Sequence, residues 1–129
     1  MPTVSTGING DSNLLNLKER DLREVRPEVN KLLVDREEMK FAFKSVRDQV
    51  IFTSSRIFVV NVKGITGKKI AYFSYPYSKI QFYGIETAGF MDIDSELILT
   101  FSNGYILTFD FKSNVDIQMI NTLISKYVL

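Results

Sequence analysis

Two stretches of this chain carry residues that could do chemistry. Gly64-Ile65-Thr66-Gly67-Lys68-Lys69 sets two glycines and two lysines in one loop. Glycines let backbone N–H groups approach an anion, and lysines add charge. A nucleotide-binding loop, however, needs four residues between its glycines, then Lys and Ser/Thr, then a helix. Here two residues intervene and the flanking pattern is that of strands. The loop therefore reads as a hairpin turn whose glycines supply positive φ and whose lysines are solvated. The second stretch holds Asp92 and Asp94, with Glu86 and Glu96 beside them. A Ca²⁺ loop of the EF-hand type needs polar ligands at alternate positions around a central Gly. Ile93 and the early Gly89 break that pattern, so the alternation reads as a strand entering a sheet, charged side outward.

Composition removes further classes of chemistry. There is no Cys and no His. Thiolate metal sites, disulfides, cysteine nucleophiles, His-based triads and the common zinc sets are thereby excluded. Sixteen Lys and Arg against fifteen Asp and Glu give +1, so no overall field draws the chain to nucleic acid. No apolar run approaches the roughly 20 residues of a membrane-spanning helix. Residues 1–11 lack a basic or apolar leader pattern, so the expected location is the cytoplasm. No cofactor is expected.

The elements that must position these residues can be read in order. Residues 1–11 form a polar arm. Residues 12–34 read as helical, with Leu15, Leu22 and Val25 near a 3.6 period, and Pro27 opening a second short helix with Val29, Leu32 and Leu33 as its stripe. The barrel unit is expected over 35–129: residues 35–38 are a polar connection, and from Met39 to Phe111 the texture is all-β, dense in Phe, Ile, Val, Tyr and Thr. Strands are expected at 39–46, 49–53, 57–63, 69–75, 79–87, 95–102 and 105–111. Asn103-Gly104 joins the last two and predicts a two-residue type I′ turn. A helix over about 114–128, capped by Ser113 or Asn114, presents Ile117, Ile120, Leu123, Ile124, Tyr127 and Val128 on one face. It would close the open mouth of a small barrel.

Seven short antiparallel strands followed by one amphipathic helix is the element order of the pleckstrin-homology (PH) superfold. Four blocks in order strengthen the match. Arg47-Asp48-Gln49-Val50-Ile51-Phe52-Thr53-Ser54-Ser55-Arg56 resembles the RD-x-[IV]-[IV]-FT-x-x-R segment of the bacterial PH domain family. The Gly64–Lys69 loop resembles its GITGKK loop, and Tyr75 to Ile80 its PYS segment. Residues 85–97 resemble its IETAG-x-x-D-x-D-x-E-L stretch. The resemblance covers about residues 33–129. It implies a mainly β, PH-like seven-stranded antiparallel barrel with a C-terminal helix and short N-terminal helices before it. It also implies a cyclic homo-oligomer, with five copies the expected ring, a polar surface shared by neighbouring copies, and no enzyme activity.

Charge and aromatics fit that expectation. Residues 44–81 carry Lys44, Arg47, Arg56, Lys63, Lys68, Lys69 and Lys79 against Asp48 alone, a net +6. Residues 82–116 carry Glu86, Asp92, Asp94, Glu96, Asp110 and Asp116 against Lys112 alone, a net −5. Opposed halves of one barrel could meet head to tail, a contact that closes into rings. Tyr72, Phe73, Tyr75, Tyr77, Phe82 and Tyr83 exceed what one face of two short strands hides, so some should face a neighbour. The residues expected at the oligomer interface or its shared polar surface are Arg47, Asp48, Arg56, Lys68, Tyr77, Phe82, Glu86, Asp92 and Asp94. The expected partners are further copies of the chain and an unidentified protein, with no nucleic acid. Binding of an anionic lipid headgroup or membrane surface is the opposing reading. Lys44, Arg47, Lys68 and Lys69 would carry it, but no dense basic run supports it and Asp48 opposes it.

Overall fold

The computed structural model describes residues 13–63, 66–67, 69–87, 94–112 and 114–129. Their order is β1 (Asn13–Arg20), a 3-10 turn (Leu22–Glu24), α1 (Pro27–Leu32), β2 (Met39–Ser45), β3 (Asp48–Thr53), β4 (Arg56–Lys63) and β5 (Lys69–Pro76). A second 3-10 turn (Tyr77–Lys79), β6 (Ile80–Glu86), β7 (Ser95–Phe101), β8 (Ile106–Phe111) and α2 (Ile117–Val128) complete it. All eight strands join one sheet, in the order β5-β4-β3-β2-β1-β8-β7-β6. The expected strands from 39 to 111 recur within a residue or two of their ends.

The N-terminal segment departs from expectation. Residues 13–20 form a strand, not a helix, and β1 is the eighth strand of the sheet. It pairs antiparallel with β2 and parallel with β8, bridging the two halves of the barrel wall. The cause is a bulge. The register with β8 shifts between Leu14 and Leu17, and Asn16 sits at φ 58°. One extra residue breaks the two-residue alternation that marks a strand, and what remains imitates a helical period. Pro27 does open α1, but of the expected stripe only Val29 is buried; Leu32 is exposed.

Two cores follow from the faces of β2–β4. The main core lies inside the barrel, where Phe43, Phe52, Phe109 and Phe111 pack with ring centroids 4.9–6.5 Å apart. A smaller core on the outer face joins Ala42, Ile51, Phe58 and Val60 to Val25 and Val29. Strand β4 is buried on both sides, Ile57 and Val59 inward and Phe58 and Val60 outward. Each fully buried side chain of this kind contributes about 1.5–3 kcal/mol. Helix α2 starts from Asp116, whose carboxylate accepts from the Met119 N–H, rather than from Ser113 or Asn114. Ile120 and Ile124 are buried beneath it, and the Tyr83 and Ser125 hydroxyls lie 2.7 Å apart, fixing the helix over β6.

The β7–β8 turn is also different from the type I′ expectation. Gly104 alone takes positive φ, at 87°. The Gly104 N–H donates to the Phe101 carbonyl (2.8 Å) and the Phe101 N–H to the Tyr105 carbonyl (2.9 Å). This is a type I turn closed by a glycine bulge, one residue longer than a type I′ hairpin. The Asn103 side chain stabilises it by accepting from the Tyr105 N–H.

Candidate functional site

Because β1 closes one seam of the barrel, the opposite seam carries the sheet's two ends. Strands β5 and β6 are each paired on one side only among the described residues. A cavity of about 410 Å³ lies beside β5, lined by Phe73, Tyr75, Lys79, Phe101, Asn103 and Tyr105. The Ser102 N–H donates to the Lys79 carbonyl, extending the β6–β7 ladder by one bond at this end of the cavity.

The two edges differ in charge. Lys63 and Lys69 are register partners at the start of β5. Glu86 and Glu96 are register partners at the end of β6, and Glu96 in turn faces Asp110. Like charges directly opposite each other destabilise a sheet. Burial and then the charge of Asp94 raise the Asp110 carboxyl above its usual range, against the lowering influence of Lys112. On the outer face of β6, Phe82 is 63% exposed. A Cβ added to Gly84 would meet nothing within 4 Å, so the protomer itself does not need glycine there.

The residues expected at the interface separate into two groups. Phe82, Glu86 and Asp94 are exposed along or near the acidic edge, and Asp94 lies 3.9 Å from Lys112. Arg47 is exposed in the β2–β3 turn. Lys68 and Asp92 lie outside the described residues.

The others find hydrogen-bond partners within the protomer. The Asp48 carboxylate accepts from Asn61 Nδ2 (3.2 Å) and the Val62 N–H (2.8 Å), tying the β2–β3 turn to β4. Tyr77 is 2% exposed; its hydroxyl donates to the Thr53 carbonyl at 2.7 Å, and burial pushes its pKa up. Arg56 sends Nε and Nη2 to Glu37 at 2.9 and 2.8 Å, Nη2 also to the Leu32 carbonyl, and Nη1 to Ser74 Oγ. Its guanidinium carbon sits 4.1 Å from the Phe58 ring centroid. A polar side chain needs partners when buried, and here the nearest partners are internal.

Glu37 is the residue that sequence reasoning passed over. Its side chain is 1% exposed and also accepts from Thr53 Oγ1 (2.6 Å), Ser55 Oγ (3.0 Å) and the Val34 N–H (3.0 Å). Burial alone would raise its pKa. The hydrogen bonds from Arg56, Thr53, Val34 and Ser55 outweigh burial and hold the carboxyl down at about 2. Thr53 and Arg56 of the recurring FT-x-x-R block thus lock the N-terminal segment to the barrel rather than present a surface. Glu37 stood within a run of four charged residues, where nothing marks one acid as buried.

Sheet order, the covering helix and these locks define a PH-like barrel. The description "Bacterial PH domain" fits residues 9–128, and the chain belongs to that family. It is similar to the uncharacterized protein YjqA of Bacillus subtilis, 41% identical over 87 residues, which span 67% of this chain and 70% of the relative. Among solved structures it is similar to a pleckstrin-homology domain protein from Shewanella loihica, with 34% identity and a TM-score of 0.77 over 89% of this chain and 99% of the other. A pleckstrin-homology domain from Shewanella amazonensis shares 39% identity at a TM-score of 0.65, covering 85% of this chain and 90% of that one. PH domains are generally non-enzymatic. No described helix is long and apolar enough to cross a membrane.

Proposed function

We propose that this PH-like domain is a non-enzymatic cytoplasmic scaffold that joins copies of itself edge to edge into a closed ring and offers the shared polar surface to a protein partner. The observation that carries this reading is the pair of one-sided strands. They are 8 and 7 residues long; β5 begins at Lys69, opposite Lys63 of β4, and β6 ends at Glu86, opposite Glu96 of β7. Unpaired edges are liabilities that soluble proteins cover or blunt, and a neighbouring edge is a natural cover. In antiparallel pairing, the lysine end of β5 in one copy meets the glutamate end of β6 in the next. Tyr72, on the outer face of β5, then lies beside the exposed Phe82, and the open space at Gly84 admits a neighbouring chain. Each copy would use two different edges, so contacts repeat until the rotation closes.

Light scattering coupled to size exclusion tests the reading. The wild-type chain should elute as a single multiple of 14.8 kDa at micromolar concentration. Phe82→Asp should shift it toward the single subunit with the fold intact, because that side chain is exposed in the protomer. A wild-type mass of 14.8 kDa would remove the reading.

A further inference from the structure

The cavity of about 410 Å³ lies at the end of β5 away from Lys69, and its walls are mostly aromatic. Tyr75, Phe101 and Tyr105 form a triangle of rings with centroids 5.5, 6.3 and 6.4 Å apart. The Tyr75 and Tyr105 rings lie within 16° of parallel. Phe73 and Pro76 continue the wall along β5. Two exposed polar side chains, Lys79 and Asn103, stand on the same lining, and no carboxylate does among the described residues. Lys79 forms no ion pair among the described residues. Asn103 Oδ1 accepts from the Tyr105 N–H, which leaves Nδ2 as a donor.

The backbone holds these groups in place. Lys79 ends the 3-10 turn whose Tyr77 is anchored twice, by its hydroxyl on the Thr53 carbonyl (2.7 Å) and its N–H on the Ser55 carbonyl (3.1 Å). The ladder bond from the Ser102 N–H to the Lys79 carbonyl couples that turn to the loop bearing Asn103. The glycine bulge at Gly104 and the register shift between Ile80 and Phe82 flank the hollow. Bulges gather beside sites because they re-aim side chains. A hollow of this size, mostly apolar with a few convergent polar groups, has the character of a small-molecule site. Its walls select the ligand. Aromatic walls favour a flat ring, stacked or edge-on. They would also attract a cation, but the Lys79 ammonium repels one. A single ammonium beside an amide donor suits one negative charge spread over two acceptor oxygens, a carboxylate. We propose that this cavity binds a small aromatic carboxylate, its ring against Tyr75, Phe101 and Tyr105 and its carboxylate on Lys79 Nζ and Asn103 Nδ2. One copy supplies every lining residue, so the site stands or falls apart from ring assembly.

Calorimetric titration of the full chain with trans-cinnamate tests it, with trans-cinnamamide as the uncharged compound of the same shape. The acid should bind with a Kd below about 1 mM, and the amide about threefold more weakly or worse at low salt. Lys79→Met keeps the apolar stem of an exposed side chain and should remove that preference, lowering affinity for the acid and leaving that for the amide unchanged. A purely structural role for Lys79 would lower both alike. Ser102→Trp, at another exposed position of the lining, should fill the hollow and abolish binding of both compounds, with a melting temperature near that of the wild type. Phe82→Asp should bind the acid as the wild type does. Binding gained only in Phe82→Asp would mean that Phe82 of a neighbouring copy fills the cavity. Binding of an acetylated Gly-Gly-Phe peptide, but not of cinnamate, would give the cavity to the end of another protein. Either result overturns the proposal. So does failure of the acid to bind, equal affinity for acid and amide, or affinity for the acid that Lys79→Met leaves unchanged.

Discussion

Glu37 shows how a single buried acid can carry a fold. Its folded pKa of about 2 lies below the 4.5 expected when the chain is unfolded, so folding favours the ionised carboxylate. The sign follows directly. The stabilisation is complete above about pH 4.5 and is lost as the pH falls toward 2. A depression of this size corresponds to about 3 kcal/mol. Glu37→Gln should therefore lower unfolding stability by about 3 kcal/mol at neutral pH, because the half-buried Arg56 guanidinium loses its counter-charge. Urea titrations at neutral pH and near pH 3 provide the check. The deficit of the variant should shrink in acid, where the wild-type carboxylate also begins to protonate. An equal deficit at both pH values would show that lost packing, rather than the ionised carboxylate, sets the loss. None of this was legible from spacing. Glu37 lies 16 and 19 residues from Thr53 and Arg56, and only folding brings them together.

At the scale of elements, the strands that could be read were those whose two faces differ or whose turns are marked. Leu97, Leu99 and Phe101 alternate against Leu107, Phe109 and Phe111, and both sets are buried. Even there, Asn103-Gly104 fixed the position of the turn but not its type, because a dipeptide does not set loop length. Strand β1 was hidden for a different reason. The bulge at Asn16 and the run Lys18-Glu19-Arg20 obscure the strand alternation, while Leu17, at 1% exposure, sits in the main core. Leu17→Ala should consequently cost about 2–5 kcal/mol, the usual range for emptying a buried leucine site. A leucine on an exposed helix would lose only a few tenths by propensity. Chemical denaturation distinguishes the two, and a loss under about 0.5 kcal/mol would deny β1 its bridging role.

The whole molecule brings together what the sequence split into halves. The basic and acidic stretches were visible as runs, yet their use depends on the sheet order, which puts the Lys63–Lys69 pair at one end and the Glu86–Glu96 pair at the other. Charge and motif alone do not show that Asp48, Arg56 and Tyr77 find hydrogen-bond partners inside the protomer. The edges give a sharper choice. Lys69 and Glu86 are both exposed, and among the described residues neither forms an ion pair within its own copy. In a ring of the proposed kind, Lys69→Glu should weaken assembly by placing acid against acid, and Glu86→Lys should do the same with base against base. The double variant restores opposite charges across every contact and should recover assembly. Each exposed pair is worth only about 0.2–1 kcal/mol, so the single changes should lower the assembled fraction near the dissociation midpoint rather than abolish the ring. Added salt should narrow the differences as screening shortens the reach of each charge. Native mass spectrometry across a dilution series reads all four proteins. Equal midpoints for all four would separate the edges from assembly, whereas recovery in the double variant alone requires the two edges to face each other between copies, since within one copy each change acts on its own like-charged register partner, Lys63 or Glu96.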